Sequence, residues 1–210
     1  VTWAASPIKH RIPEIRKFIM PNKIVFICGS PGAGKSSVID GISSKKGYKV
    51  VNVGTLMTDL AVKKRYVKGR DELRSLEKGR FNELQAAAFR KISEMDGNII
   101  LDTHATVEQN GRYFPGISIW QTMQLKGLAG FVYIDALTQD IAKRRKGDRT
   151  RRREKERIEL IDVQRLMNIS ILSACSTFLN LPLYIIFNEQ GKLEASIGQL
   201  KAQLKDIFGA

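Results

Sequence analysis

Eight consecutive residues, Gly29-Ser30-Pro31-Gly32-Ala33-Gly34-Lys35-Ser36, satisfy GxxxxGK[ST] at every fixed position. Glycines at these places let the backbone turn successive N–H groups inward around phosphate oxygens. A helix starting at the lysine would aim its positive end at the same anion. Lys35 would then neutralise the outer phosphates of a nucleoside triphosphate, and the Ser36 hydroxyl would ligate Mg²⁺. With Ser37 behind them, residues 29–37 form the candidate donor-nucleotide cradle.

Asp102 closes the apolar run Ile99-Ile100-Leu101. A carboxylate at the carboxyl end of a buried strand beside a phosphate cradle is placed to hold the Mg²⁺ shell, directly or through water. His104 follows two residues later and reads as a hydrogen-bonding group, since no further ligands accompany it to make a metal site.

A third feature is charge. The 210 residues carry 35 Lys and Arg against 21 Asp and Glu, a net +14, which calls for an anionic partner. Half of that excess, ten basic against three acidic residues, falls in 142–157 (AKRRKGDRTRRREKER). In-line phosphoryl transfer to a phosphate acceptor needs no strong base. It needs dense positive charge around the migrating group and exclusion of water, and arginine supplies that charge in a permanently ionised, bidentate form.

Short β-like runs alternate with amphipathic stretches along the chain. Residues 23–28, 48–53, 98–102, 131–135 and 183–187 read as parallel strands covered on both faces. Residues 35–45, 55–64, 79–95, 158–179 and 193–208 read as helices. The expected fold class is therefore α/β, a five-stranded parallel sheet flanked by helices in three layers, with a short arginine-rich lid. Residues 1–22 are expected to be an N-terminal extension and 23–210 a single domain. Acceptor-side helices would fall near 54–96 and the lid near 144–157. The sequence is neither apolar enough for a membrane span nor biased enough for disorder, and its N-terminus lacks the apolar core of a signal peptide. Two cysteines, Cys28 and Cys175, lie on segments that read as buried and make no disulfide framework, which points to a cytoplasmic setting. Trp3 and Trp120 read as packing residues.

The phosphate loop, Asn52-Val53-Gly54-Thr55 and residues 69–76 (GRDELRSL) together resemble the archaeal-type adenylate kinases. The likeness continues through residues 101–107 (LDTHATV), Phe114-Pro115-Gly116, Arg144-Arg145, Asp148, Thr150-Arg151, Arg153, Asn168 and Ile186-Phe187-Asn188. It spans the chain from about residue 23 to its end. The resemblance implies a P-loop nucleoside-monophosphate kinase catalysing ATP + AMP = 2 ADP with ATP and Mg²⁺, and in several members a homotrimer. It also implies that Thr55, Arg70, Arg74 and His104 serve AMP, and that Arg144 lies near the adenine of ATP. Arg151 and Arg153 would touch the transferring phosphoryl group. The bacterial and eukaryotic D-G-[FY]-P-R signature is absent, with Asp102-Thr103-His104 in its place.

Two competing readings stand beside this one. The acceptor can instead be CMP, UMP or a small alcohol, the last of which would call for a carboxylate base near the acceptor. A kinase-like ATPase acting in RNA or ribosome assembly would use the basic segment for nucleic acid, although 142–157 contains no aromatic residue on which bases could stack.

Overall fold

In the computed structural model of the chain, residues 23–43, 47–109, 111–147 and 158–209 are described. Strand β1 (Ile24–Gly29) leads through the phosphate loop into helix α1 (Lys35–Ser43). Strand β2 (Tyr48–Asn52) passes directly into α2 (Val53–Lys63), followed by a 3-10 segment (Arg70–Ser75) and α3 (Lys78–Ser93). After β3 (Asn98–Asp102) comes an antiparallel hairpin, β4 (Thr106–Gln109) with β5 (Arg112–Pro115), and the short α4 (Ile119–Met123). Then follow β6 (Leu128–Asp135), α5 (Thr138–Gly147), α6 (Ile158–Leu179), β7 (Leu183–Phe187) and α7 (Leu193–Phe208).

The main sheet is parallel throughout, in the order β2-β3-β1-β6-β7. Strand periodicity sorts its central residues into two cores. Ile24, Phe26, Ile99, Leu101, Phe131 and Tyr133 face one side, where α2, α3 and α6 cover them. Val25, Ile27, Ile100, Val132 and Ile134 face the other, under α1 and α7. Phe26 and Phe131 stack at 5.7 Å between ring centroids, which anchors the first core at the middle of the sheet. Lys23 Nζ donates to the carbonyls of Ile207 (3.2 Å) and Phe208 (3.0 Å), fastening the end of α7 beside the start of β1.

All five expected strands are present and parallel. The expectation that each is buried on both faces holds for β1, β3 and β6 only. Strands β2 and β7 are the sheet edges and expose apolar residues, including Val50, Ile185 and Phe187. The second helix starts at Val53, two residues before its expected start, because Asn52 ends the strand and caps the helix at once. Trp120 corrects the packing expectation: it stands 70% exposed on α4. Residues 1–22, including Trp3, lie outside the described residues. Cys28 and Cys175 are buried and free, and burial pushes the Cys28 thiol up to about 12, so it is no nucleophile at neutral pH. Among the described residues, no helix is long and apolar enough to cross a membrane.

Candidate active site

Strand order reverses at β1, so the crevice at the carboxyl ends of β1 and β3 is where such a sheet binds ligands. The phosphate loop leaves β1 there, and Asp102 ends β3 one strand away, paired in register with Ile27. Gly34 takes φ +87°, and a Cβ on it would fall 2.2 Å from Asn188 Nδ2, so both conformation and space demand glycine. Two side chains from outside the loop hold its outward carbonyls. Asn188 Nδ2 donates to Ala33 O at 2.9 Å. Arg144 donates to Ala33 O at 3.2 Å, to Asn188 O at 3.0 Å and to Gln190 Oε1 at 3.2 Å. With its carbonyls engaged outside, the loop is free to turn N–H groups inward. Beside it an open cleft of about 210 Å³ is lined by Gly34, Ser37, Arg144, Asn188, Gln190 and Leu193.

Lys35 is buried, and its ammonium rests on Asp102 Oδ1. Burial pulls this ammonium down from 10.5 to about 8, and the Arg70 guanidinium acts in the same direction. The carboxylate contact favours the charged form, so Lys35 is an ion held ready for an anion. Ser36 and Ser37 are exposed on the first turn of α1. A serine hydroxyl and one carboxylate are oxygen donors suited to Mg²⁺, which keeps most of its shell for water and phosphate. Among the described residues no group of three or more His, Cys, Asp or Glu could cage a metal. The residues fit a cation brought in with a nucleotide.

The head of α2 meets this centre through β2. Asn52 Nδ2 donates to Asp102 Oδ2 at 2.7 Å, while its Oδ1 accepts from Thr55 N and Thr55 Oγ1. Gly54 admits Arg70: a Cβ there would lie 3.1 Å from the guanidinium and 3.4 Å from Asn52 Oδ1. Thr55 and Arg70 are both exposed. Arg74 lies on the same 3-10 segment. His104 is half-buried two residues beyond Asp102, and Gly116 packs so tightly on its carbonyl that a Cβ would come within 2.1 Å.

The structure thus brings Lys35, Asp102, Thr55 and Arg70 to one crevice. Arg144 lies on the cleft beside the phosphate loop. Arg151 and Arg153, with residues 148–157 as a whole, lie outside the described residues. Residues 144–147, the first part of the expected lid, are helical: Arg144 and Arg145 belong to α5. Arg145 is buried, donating to Pro31 O at 2.7 Å and to Gln164 Oε1 at 3.0 Å.

Asn168, part of the family resemblance but given no role there, and Asp135, which the sequence did not single out, support the site. Asn168, 1% exposed on α6, donates to Ser30 Oγ at 3.0 Å and accepts from Thr106 N at 3.0 Å. Asp135, equally buried, receives a two-pronged contact from Arg165 at 2.9 and 2.7 Å. The available signal was polarity out of place. Gln164 and Asn168 share the inward stripe of α6 with Ile161, Leu172 and Cys175.

Residues 28–162 match the AAA domain family. The adenylate kinase of Methanothermobacter thermautotrophicus is 32% identical over 185 residues, spanning 87% of this chain and 100% of that protein. The adenylate kinase of Thermoplasma acidophilum is 37% identical over 166 residues, 79% of this chain and 90% of that protein. The chain belongs to the archaeal adenylate kinase family. Its fold is also that of a shikimate kinase from Acinetobacter baumannii solved with shikimate, at TM-score 0.56 and 12% identity over 90% of this chain and 95% of the other. A shikimate kinase from Bacteroides thetaiotaomicron matches with TM-score 0.53 and 15% identity over 87% of this chain and 98% of the other.

Proposed function

We propose that this adenylate kinase family member performs reversible phosphoryl transfer, ATP + AMP = 2 ADP, in the crevice between β1 and β3. The observation that carries the reading is the meeting of both sides at one carboxylate. Lys35 of the phosphate loop and Asn52 at the head of the acceptor helix each contact Asp102. Gly29–Ser37 bind the ATP phosphates, and the cleft beside Arg144 takes the adenine. Thr55, Arg70, Arg74 and His104 hold AMP. Ser36 and Asp102 hold Mg²⁺, which spreads the negative charge of the transferring group. Lys35 stays protonated against the outer phosphates and orients the donor. Arg151 and Arg153 add positive charge at the migrating phosphoryl and exclude water when the lid covers it. The setting is the cytoplasm.

The decisive experiment is an acceptor panel. With ATP and Mg²⁺, AMP is expected to exceed CMP, UMP and GMP by at least tenfold in kcat/KM; preference for CMP or UMP refutes the acceptor assignment. The same preparation of Lys35→Ala is expected to lose transfer while keeping its far-ultraviolet spectrum.

A homo-oligomer, specifically a trimer, is part of the proposal. It is supported by exposed Val163, Leu166 and Met167 on α6 beside exposed Trp120 and Met123 on α4, which packs on α6. Light scattering behind a sizing column reads the stoichiometry, and a monomer at micromolar concentration removes the trimer.

A further inference from the structure

Asn52 has no part in nucleotide contact as proposed above, yet it is built into the centre. It ends β2 in parallel register with Asp102 on β3. Its carboxamide is divided between two tasks. Oδ1 accepts from Thr55 N at 2.9 Å and from Thr55 Oγ1 at 3.1 Å, capping α2. Nδ2 donates to Asp102 Oδ2 at 2.7 Å. The amide can take only this orientation. Turned over, its nitrogen would face the Thr55 N–H and its oxygen would face a carboxylate.

Asp102 is consequently held at both oxygens, by Lys35 on Oδ1 and by Asn52 on Oδ2. The two restraints differ in kind. Lys35 is a flexible side chain with a phosphate to serve, so its hold on Asp102 ends when the ammonium turns to a triphosphate. Asn52 is short, fixed by its own cap, and its hold does not depend on Lys35. The outer partner of a ligating carboxylate sets the direction of the free oxygen, and losing such a partner typically costs about 10–100-fold in metal affinity or activity.

We propose that Asn52 is a positioning residue of the transfer site. It keeps Asp102 Oδ1 aimed at the phosphate loop, and through the α2 cap it locks that aim to the placement of Thr55 and Arg70 on the acceptor side. The inference rests on the reading of Asp102 as the cation-side carboxylate.

Asn52→Asp and Asn52→Ser separate this role from helix capping. Both residues cap as well as asparagine, so α2 is kept in each. Serine is too short to reach Asp102, whereas aspartate sets a second carboxylate where the donor was. The readouts are kcat at fixed Mg²⁺, the Mg²⁺ concentration giving half-maximal rate, and calorimetric ATP binding with and without Mg²⁺. Both variants are expected to bind Mg²⁺-free ATP within about twofold of wild type. Their preference for Mg²⁺-ATP and their kcat are expected to fall about 10–100-fold, and Asn52→Asp is expected to lose more than Asn52→Ser. A capping role alone predicts no such order.

Wild-type Mg²⁺ dependence in both variants overturns the proposal, as does a loss that simply follows thermal stability. Asp102→Asn tells the two levels apart. If it too keeps wild-type Mg²⁺ dependence, the Asp102 reading itself has failed. If it loses that dependence while the Asn52 variants keep it, only the Asn52 inference has failed.

Discussion

Replacing Arg165 with alanine removes the guanidinium that neutralises a carboxylate inside the protein. Asp135 is 1% exposed at the end of β6, and Arg165 meets both its oxygens, through Nε at 2.9 Å and Nη2 at 2.7 Å. The Arg165 Nη1 group also donates to Thr138 Oγ1 at 2.7 Å and Asp162 Oδ1 at 3.0 Å, and the Asp135 contact, with a smaller share from Asp162, keeps the arginine charged well above its ordinary range. Breaking a buried pair by deleting one partner costs about 3–5 kcal/mol, because the other charge stays desolvated. Against a total stability of about 5–15 kcal/mol this is a large fraction. For a chain of this size it lowers the thermal midpoint by roughly 6–20 °C.

The effect reaches the donor side too. The Asp135 carbonyl accepts from Asn188 N at 2.8 Å, and Asn188 in turn holds Ala33 of the phosphate loop. The KM for ATP is therefore expected to rise in Arg165→Ala before the KM for AMP does. Urea unfolding followed by circular dichroism and tryptophan emission measures the stability. Adding Asp135→Asn is expected to recover a large part of the loss, since a neutral amide is cheaper to bury than an unpaired carboxylate. A single-variant cost below about 1 kcal/mol, the range of an exposed pair, would refute the reasoning. So would a double variant no more stable than the single one.

Two further outcomes are expected. Burial pulls the Lys35 ammonium down to about 8, and its proposed role toward ATP needs the cation, so kcat/KM for ATP at saturating AMP should fall about tenfold per pH unit above that value. The rate profile reads it, and a flat profile to pH 9.5 contradicts the burial of this ammonium. The folded value lies below the unfolded 10.5, so the unfolded chain binds more protons between about 8 and 10.5. This group's contribution to stability therefore rises with pH across that window. Gly34→Ala forces an L-residue into φ +87° and its Cβ into Asn188 Nδ2. The strain of about 1–2 kcal/mol and one lost hydrogen bond of about 1 kcal/mol together predict an ATP affinity roughly 30- to 150-fold weaker. Calorimetry with ATP, using AMP as the control ligand, tests it; equal losses for both ligands would point to general unfolding.

The phosphate loop and the five parallel strands were legible because their signals are local. A fixed glycine spacing and short apolar runs need no knowledge of distant residues. Lys35 and Asp102 were legible for the same reason, each closing or opening such a run. What stayed hidden depends on neighbours far along the chain. Arg144 and Arg145 read as the start of a lid, yet α5 carries them to loop carbonyls at residues 31–33, more than a hundred residues earlier. Asn52 looks like one residue of a short motif until the register of β2 with β3 sets it beside Asp102. The edge positions of β2 and β7 are equally a matter of strand order, which apolar content does not encode. The hairpin at 106–115 has no continuous apolar run, so its strands left no signal of the kind used for the main sheet.

The clasp between Lys23 and the end of α7 bears on how the polypeptide comes off the ribosome. Val25 and Ile27 get part of their cover from Val38, Ile39 and Ile42 of α1, just downstream, but the rest waits for Ile197, Leu200, Leu204, Ile207 and Phe208 of α7. The strand that leads into the phosphate loop is thus fully supported only once α7, synthesised far later, has docked. Vectorial translation leaves one side of the central strand half-covered until α7 clears the exit tunnel.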